Sequence, residues 1–261
     1  MNSRSVAIAA VIALTASGCG VGVHFADYRH STTPADAHVT GTVNRLQVDG
    51  GDGHVIVRAG SGDGVTIHRV VHYQSGTPHP AQRLADGTLT FTKGCSRCRV
   101  DYELTVPASV SVRARTDSGR IDVEGVAAAD TGSDSGSQAV RHVPGSVSAH
   151  SDSGSLTIQD VGGALETSSD SGSLRATEVH SPTAKASTDS GGMRMVFTSP
   201  PQNVRATSDS GSVRVGLPDG QYQVDVGSDS GGKHVRVPTV PNAPFRIYVR
   251  TDSGGINVVP A

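Results

Sequence analysis

The tetrapeptide Ser/Thr-Asp-Ser-Gly occurs eight times between Thr116 and Gly254, and it restricts the fold more tightly than any other feature of the chain. Its aspartates are Asp117, Asp134, Asp152, Asp170, Asp189, Asp209, Asp229 and Asp252, at spacings of 17, 18, 18, 19, 20, 20 and 23 residues. A unit repeated at a near-constant period buries its apolar face by stacking on its own copies. With Asp at position zero, apolar or small residues fall at −5 and −3 (Val112 and Ala114, Val147 and Ala149, Val204 and Ala206). They return at +4 and +6 (Ile121 and Val123, Leu156 and Ile158, Met193 and Met195, Val213 and Val215). Period two on both sides predicts strand, tight turn, strand, with one face inward. In the turn, Gly at the third position suits positive φ, and the Asp carboxylate is expected to accept backbone N–H groups two residues on.

Two all-β architectures satisfy this unit: a parallel β-solenoid (β-helix) with about 18–20 residues per coil, or an antiparallel β-meander of hairpins. Repetition favours the solenoid. In-register stacking places identical residues about 4.8 Å apart, which would turn Ser/Thr at −1 and Ser at +1 into hydrogen-bonded ladders. Eight such coils make a rod roughly 40 Å long. Composition agrees: with 32 Gly, 3% aromatics and no Trp, the core must be thin and helix scarce. The second unit departs from the pattern, with Ala129 at −5 and Gln138 at +4, and is expected to form a bulge or loose coil. In the seventh, Lys233 and His234 are expected to push Val235 outward. The segments between coils vary in length and composition. One edge of the solenoid is therefore constant and the other variable, and insertions on one face of a repeat protein often mark its binding face.

The N-terminus reads as an export signal over residues 1–18: Arg4, an apolar stretch from Val6 to Ala16 too short to span a membrane, then Ala16-Ser17-Gly18-Cys19. This resembles a bacterial lipobox with Ala16 in place of the usual Leu, and makes Cys19 the candidate lipidation site, carrying palmitate-type acyl chains. Two or more chains would anchor the protein durably. Residues 19–42 read as a flexible tether and 43–107 as an N-terminal β cap, with strands around Leu46-Gln47-Val48 and Val55-Ile56-Val57 joined at the Asp-Gly turns of Gly50-Gly51-Asp52-Gly53. The repeat solenoid occupies 108–261. In an oxidising compartment, Cys95 and Cys98 read as a local disulfide. A redox pair would need a helix N-terminus, and structural zinc would need two further ligands.

Several functions are argued against. A formal charge of −2 leaves no electrostatic footprint for nucleic acid. Asp-Ser-Gly resembles the aspartic-protease signature, but that chemistry needs two carboxylates sharing a proton across a cleft. Calcium between coils would relieve repulsion among stacked aspartates, yet one carboxylate per coil is few against the six to eight oxygens that calcium takes. The aspartates therefore read as a structural turn ladder. His68 and His72 share a strand face but lie roughly 13 Å apart, too far for one metal. Outward carboxylates such as Asp122, Glu124 and Asp160 form no cluster of the kind a polysaccharide lyase or hydrolase would need. No cofactor and no catalytic residue is expected.

The lipobox Cys19, the Cys pair leading into a strand that ends at Val106-Pro107, and the repeats beginning at Thr116-Asp117-Ser118-Gly119 together resemble an actinobacterial "putative adhesin" lipoprotein family with β-strand repeats, a domain of unknown function. The resemblance spans about residues 43–259. It implies a right-handed parallel β-helix exposed on the extracytoplasmic face of the cell membrane, and brings no ligand or catalytic residue with it. Two roles follow. One is a lipid-anchored, adhesion-like binding module for a cell-wall polymer or envelope protein. The other is a structural or envelope-stress solenoid that self-assembles through its C-terminal coil, Ile256-Asn257-Val258.

Overall fold

The computed structural model describes residues 31–95 and 97–261, and every regular element among them is a β-strand. The N-terminal strands are β1 (Ser31–Pro34), β2 (Ala37–Val39), β3 (Arg45–Asp49), β4 (Val55–Gly60), β5 (Val65–Tyr73), β6 (Ala81–Ala85), β7 (Thr88–Thr92) and β8 (Cys98–Pro107). The repeats supply β9 (Ser111–Thr116), β10 (Ile121–Glu124), β11 (Ala128–Ser133), β12 (Gln138–Val143), β13 (Val147–Ser151), β14 (Leu156–Val161), β15 (Leu165–Ser169) and β16 (Leu174–Val179). They continue as β17 (Thr183–Ser190), β18 (Met193–Phe197), β19 (Asn203–Ser210), β20 (Val213–Leu217), β21 (Tyr222–Ser230), β22 (Lys233–Val235), β23 (Phe245–Ser253) and β24 (Ile256–Pro260).

Each Asp-Ser-Gly turn joins a strand of one sheet to a strand of a second sheet, and successive units pair in parallel. That parallel register rules out the hairpin meander for the repeats. Two unclosed sheets result, one of 13 strands and one of 11, with a β-solenoid-like stack of coils between them. Positions −5 and −3 of one sheet face +4 and +6 of the other: Val112, Ala114, Ile121, Val123, Val147, Leu156, Ile158, Met193, Met195, Val213 and Val215 are all buried. Each large aliphatic buried this way contributes about 1.5–3 kcal/mol, so a thin core repeated along a rod suffices.

The Gly ladder has a different cause from the one expected. Gly191, Gly231 and Gly254 have the expected positive φ (149°, 159° and 153°), but Gly119, Gly136, Gly154, Gly172 and Gly211 do not. Instead, a Cβ on any of the eight repeat glycines would lie 1.8–2.3 Å from the carbonyl oxygen of the glycine in the adjacent coil. Only a residue without Cβ lets the coils close to sheet spacing at this corner. In the second, third and fourth units the −1 hydroxyl also takes the part assigned to Asp. Gly136 N–H donates to Ser133 Oγ at 2.7 Å, Gly154 to Ser151 at 2.7 Å and Gly172 to Ser169 at 2.9 Å. The eight aspartates point to solvent. Between coils the turn is held by backbone, as in Ser135 N–H to Asp117 O and Ser153 N–H to Asp134 O, both 2.8 Å. Side-chain links are fewer, among them Thr116 Oγ1 to Ser133 Oγ at 3.2 Å and Ser228 Oγ to Gly254 O at 3.0 Å.

Several sequence expectations are corrected. The second unit is neither bulged nor loose: β11 and β12 pair in register with both neighbours, and Gln138 fits the core by donating to His150 O. The irregularity falls instead between β16 and β18, where the register shifts between Ala176 and Val179. Gly50-Gly51-Asp52-Gly53 is not a hairpin. β3 and β4 form a further parallel coil, in which Gly53 takes the place of the repeat glycine beside Gly119. The hairpin of this region is β6–β7, turned at Asp86 (φ 50°) and Gly87 (φ 70°). Residues 31–34 and 37–39, read as tether, pair antiparallel with β5.

The coils do not stack in sequence order at either end. β7–β8 lies outside β3–β4, which lies beside β9–β10, and β23–β24 is inserted between β19–β20 and β21–β22. Ile256, Asn257 and Val258 are thus interior to their sheet, and the outermost coil is β21–β22. There Val235 is exposed, as expected, but it keeps its register opposite Val258 with no insertion, and an exposed Lys233 takes the +4 position opposite Ile256.

Candidate functional site

A shallow groove of about 860 Å³ lies on the outer face of the 11-stranded sheet. Its floor follows from one column of the repeat. At position −6 the chain places Ser111, Ala128, Ser146, Ala164, Thr183 and Asn203 on successive coils, all short side chains pointing outward. Two residues on, at −4, Arg113, Asp130, Ser148, Glu166, Lys185 and Arg205 stand beside the floor as a wall of mixed charge, broken by the short Ser148. Arg113 Nε lies 3.4 Å from Asp130 Oδ2, and Lys185 Nζ lies 2.8 Å from Glu166 Oε1. Arg115 also reaches Asp130, at 2.7 Å. Beyond Lys185 the wall continues as Arg205, whose guanidinium lies 4.5 Å from the Tyr248 ring centre, while Arg250 flanks the same ring at 4.6 Å. Period two puts this column outside, and parallel register makes it continuous. A trough with hydrogen-bonding groups at a regular rise suits an extended chain rather than a compact small molecule.

The constant edge carries little chemistry. A hollow of about 290 Å³ there is lined by Asp117, Asp134, Asp152, Asp49, Arg115 and His150. Of the eight turn aspartates, Asp152 has a side-chain partner, His150 Nε2 at 3.0 Å. Among the described residues no group of three or more His, Cys, Asp or Glu is arranged to hold a metal ion. On the variable edge, His142 Nδ1 lies 2.9 Å from Asp160 Oδ2, and His180 Nε2 lies 3.5 Å from Asp160 Oδ1. The groove lies beside this edge, on the sheet face, where sequence reasoning did not look. Its signal was present in the −6 and −4 columns.

The remaining sequence candidates are dispersed. His68 pairs with Asp36, and His72 Nε2 lies 2.8 Å from Asp101 Oδ2, so each histidine has its own carboxylate. Asp122 turns out to be nearly buried and is held by Arg120 at 3.0 Å and Arg141 at 2.8 Å. Glu124 lies 3.9 Å from Arg58. Asp122, Glu124 and Asp160 thus have separate partners and make no acid/base pair. The structure pairs Cys95 with Cys98, their Cα atoms 5.9 Å apart, within the span a disulfide bridges. Cys19 lies outside the described residues.

Among the titrations displaced near the N-terminal end are those of Tyr102 and Asp101. Burial pushes the Tyr102 phenol up to about 12, and its hydroxyl has no partner. Burial also tends to raise the Asp101 pKa, but the His54 backbone N–H, His72 and Arg99 outweigh it and hold the carboxyl below its ordinary value. Both groups secure the coil stack, and neither faces the groove.

The Toastrack DUF4097 family model matches residues 43–258, most of the chain and all of the groove. The chain is a member of the Toastrack DUF4097 family. Among solved structures, this Toastrack chain is similar to a protein from Parabacteroides merdae described as a putative adhesin. Identity is 15%, the match covers 88% of this chain and 96% of that one, and the TM-score is 0.51. A protein of the same description from Bacteroides fragilis is 13% identical over 88% and 98% of the two chains, with a TM-score of 0.49. At these identities the likeness is one of fold. No curated protein matches the sequence.

Proposed function

We propose that this Toastrack chain is a non-enzymatic, adhesion-like binding module. In this reading it is anchored by lipid on Cys19 at the extracytoplasmic face of the bacterial membrane, its coils wind right-handed, and it engages an extended cell-wall polymer along the groove of the 11-stranded sheet. The observation that carries the reading is the continuity of the groove. Its floor of small side chains crosses the coils from Ser111 to Asn203 without interruption, beside a charged wall. An open trough without a catalytic pair favours binding over turnover.

The test is retention of the soluble domain on purified cell-wall polymer, compared with Ala128→Trp and Ala164→Trp variants that fill the floor without entering the core. Retention of the parent and at least a tenfold loss in both variants, with unchanged thermal unfolding, is expected. Failure of the parent to bind, or equal binding by the variants, overturns the reading. Anchoring is checked separately: Cys19→Ala should move the full chain from the membrane fraction to the soluble one.

A further inference from the structure

The other sheet carries a second, unrelated feature at position +5. Arg175, Arg194 and Arg214 occupy three consecutive coils and are direct register partners on β16, β18 and β20. Parallel pairing sets their backbones about 4.8 Å apart, so the guanidinium groups form a straight ladder along the rod. All three are exposed. Among the described residues, none of the three lies in an ion pair with a carboxylate. Elsewhere, charged residues on neighbouring coils meet opposite charge, as in Arg113 with Asp130, Lys185 with Glu166 and Arg141 with Asp122. The nearby carboxylates are otherwise engaged or distant. Glu178 accepts from Gln159 at 3.2 Å, and Asp170, Asp189 and Asp209 sit five residues earlier in the turns.

Like charges stacked at this spacing repel, and among the described residues no carboxylate pairs with them to offset this. The flanking columns are neutral and mostly small: Ser173, Gly192 and Ser212 on one side, Thr177, Val196 and Gly216 on the other. The positive charge is therefore a line and not a patch. A guanidinium presents a planar fork of donors that matches phosphate or carboxylate oxygens.

We propose that Arg175, Arg194 and Arg214 form a binding line for a linear polyanion, a chain of regularly repeated phosphate or carboxylate groups lying along the rod axis. This line is on the sheet opposite the groove and stands independently of it.

The test measures affinity of the full chain for long-chain inorganic polyphosphate and for polygalacturonate, the two arms separating phosphate from carboxylate. Orthophosphate and phosphatidylglycerol vesicles serve as comparisons. The expected result is binding of at least one polymer well above orthophosphate, and at least a tenfold loss in the Arg175→Gln/Arg194→Gln/Arg214→Gln variant. The slope of log affinity against log salt should also fall by about 2, as three lost contacts at about 0.7 each imply for a single-stranded polyanion. A variant removing equal charge from the N-terminal end, Arg83→Gln/Lys93→Gln/Arg97→Gln, should bind as the parent does. No binding to either polymer, equal loss in the two triple variants, or binding to vesicles alone overturns the proposal. Arg175, Arg194 and Arg214 are exposed, so circular dichroism and thermal unfolding of their variant should match the parent.

Discussion

At the scale of single residues, the repeat signature separates into parts with unequal duties. Glycine is there because the next coil's carbonyl leaves no room for a Cβ, 1.9 Å away in the case of Gly154. Gly154→Ala should therefore destabilise by about 3 kcal/mol or more, since neither backbone can yield without breaking the ladder, whereas Asp170→Asn should fall within about 0.5 kcal/mol of the parent. Denaturant midpoints of the two variants compare these directly, and equal effects would refute the assignment. Tyr102 gives a second case. Its folded pKa is raised, so its contribution to stability is complete below the unfolded value of about 10 and is lost as pH rises from there to about 12. Tyr102→Phe should flatten that alkaline limb in a pH series of urea midpoints, and should shift neutral stability by less than about 1 kcal/mol, because the hydroxyl it deletes is buried without a partner. The strand pattern around each turn was readable from alternation alone. The division of labour within the turn was not, because positive φ and close approach both select glycine, and the −1 hydroxyl and the Asp carboxylate are both plausible caps.

At the scale of elements, the outermost coil shows how an open solenoid end is kept from pairing with other chains. Among the described residues no further strand lies outside β21 and β22, and β22 carries Lys233 where the other repeat coils bury a side chain that is apolar in all but Gln138. A charge at that edge position, together with Pro238, Pro241 and Pro244 in the following segment, discourages strand addition. Lys233→Ile should make the soluble domain self-associate at micromolar concentration more strongly than the parent, visible by sedimentation velocity. A variant that sediments like the parent would show that the lysine is not the barrier. The sequence reading placed the exposed end at Ile256-Asn257-Val258 because it assumed that chain order equals stacking order. The +4 column held the correction, since a lysine there fits only a coil whose inner face is open on one side. The groove was legible in the same way: the −6 column is small in every coil from Ser111 to Thr183, but it was read as generic outward polarity.

At the scale of the molecule, sequence period foretold a stack of parallel coils but not its order, because period constrains what a coil resembles and not which coil it lies beside. The inserted β23–β24 coil makes a prediction that sequential stacking would not. Deleting residues 244–261 should leave 221–243 without its neighbour and open to protease, whereas deleting 221–261 should leave a shorter and still resistant rod ending at β20. Limited proteolysis with mass mapping distinguishes them, and protection of 221–243 in the first truncation would contradict the insertion. The same arrangement has a bearing on time. A chain that emerges from its N-terminus can add coils one by one only as far as β20. The segment that forms β21–β22 emerges next but has no seat until the last residues arrive and take the place between. Synthesis and assembly therefore run in opposite order at this end, and the rod is finished from the inside, with its outermost coil waiting for the end of the chain.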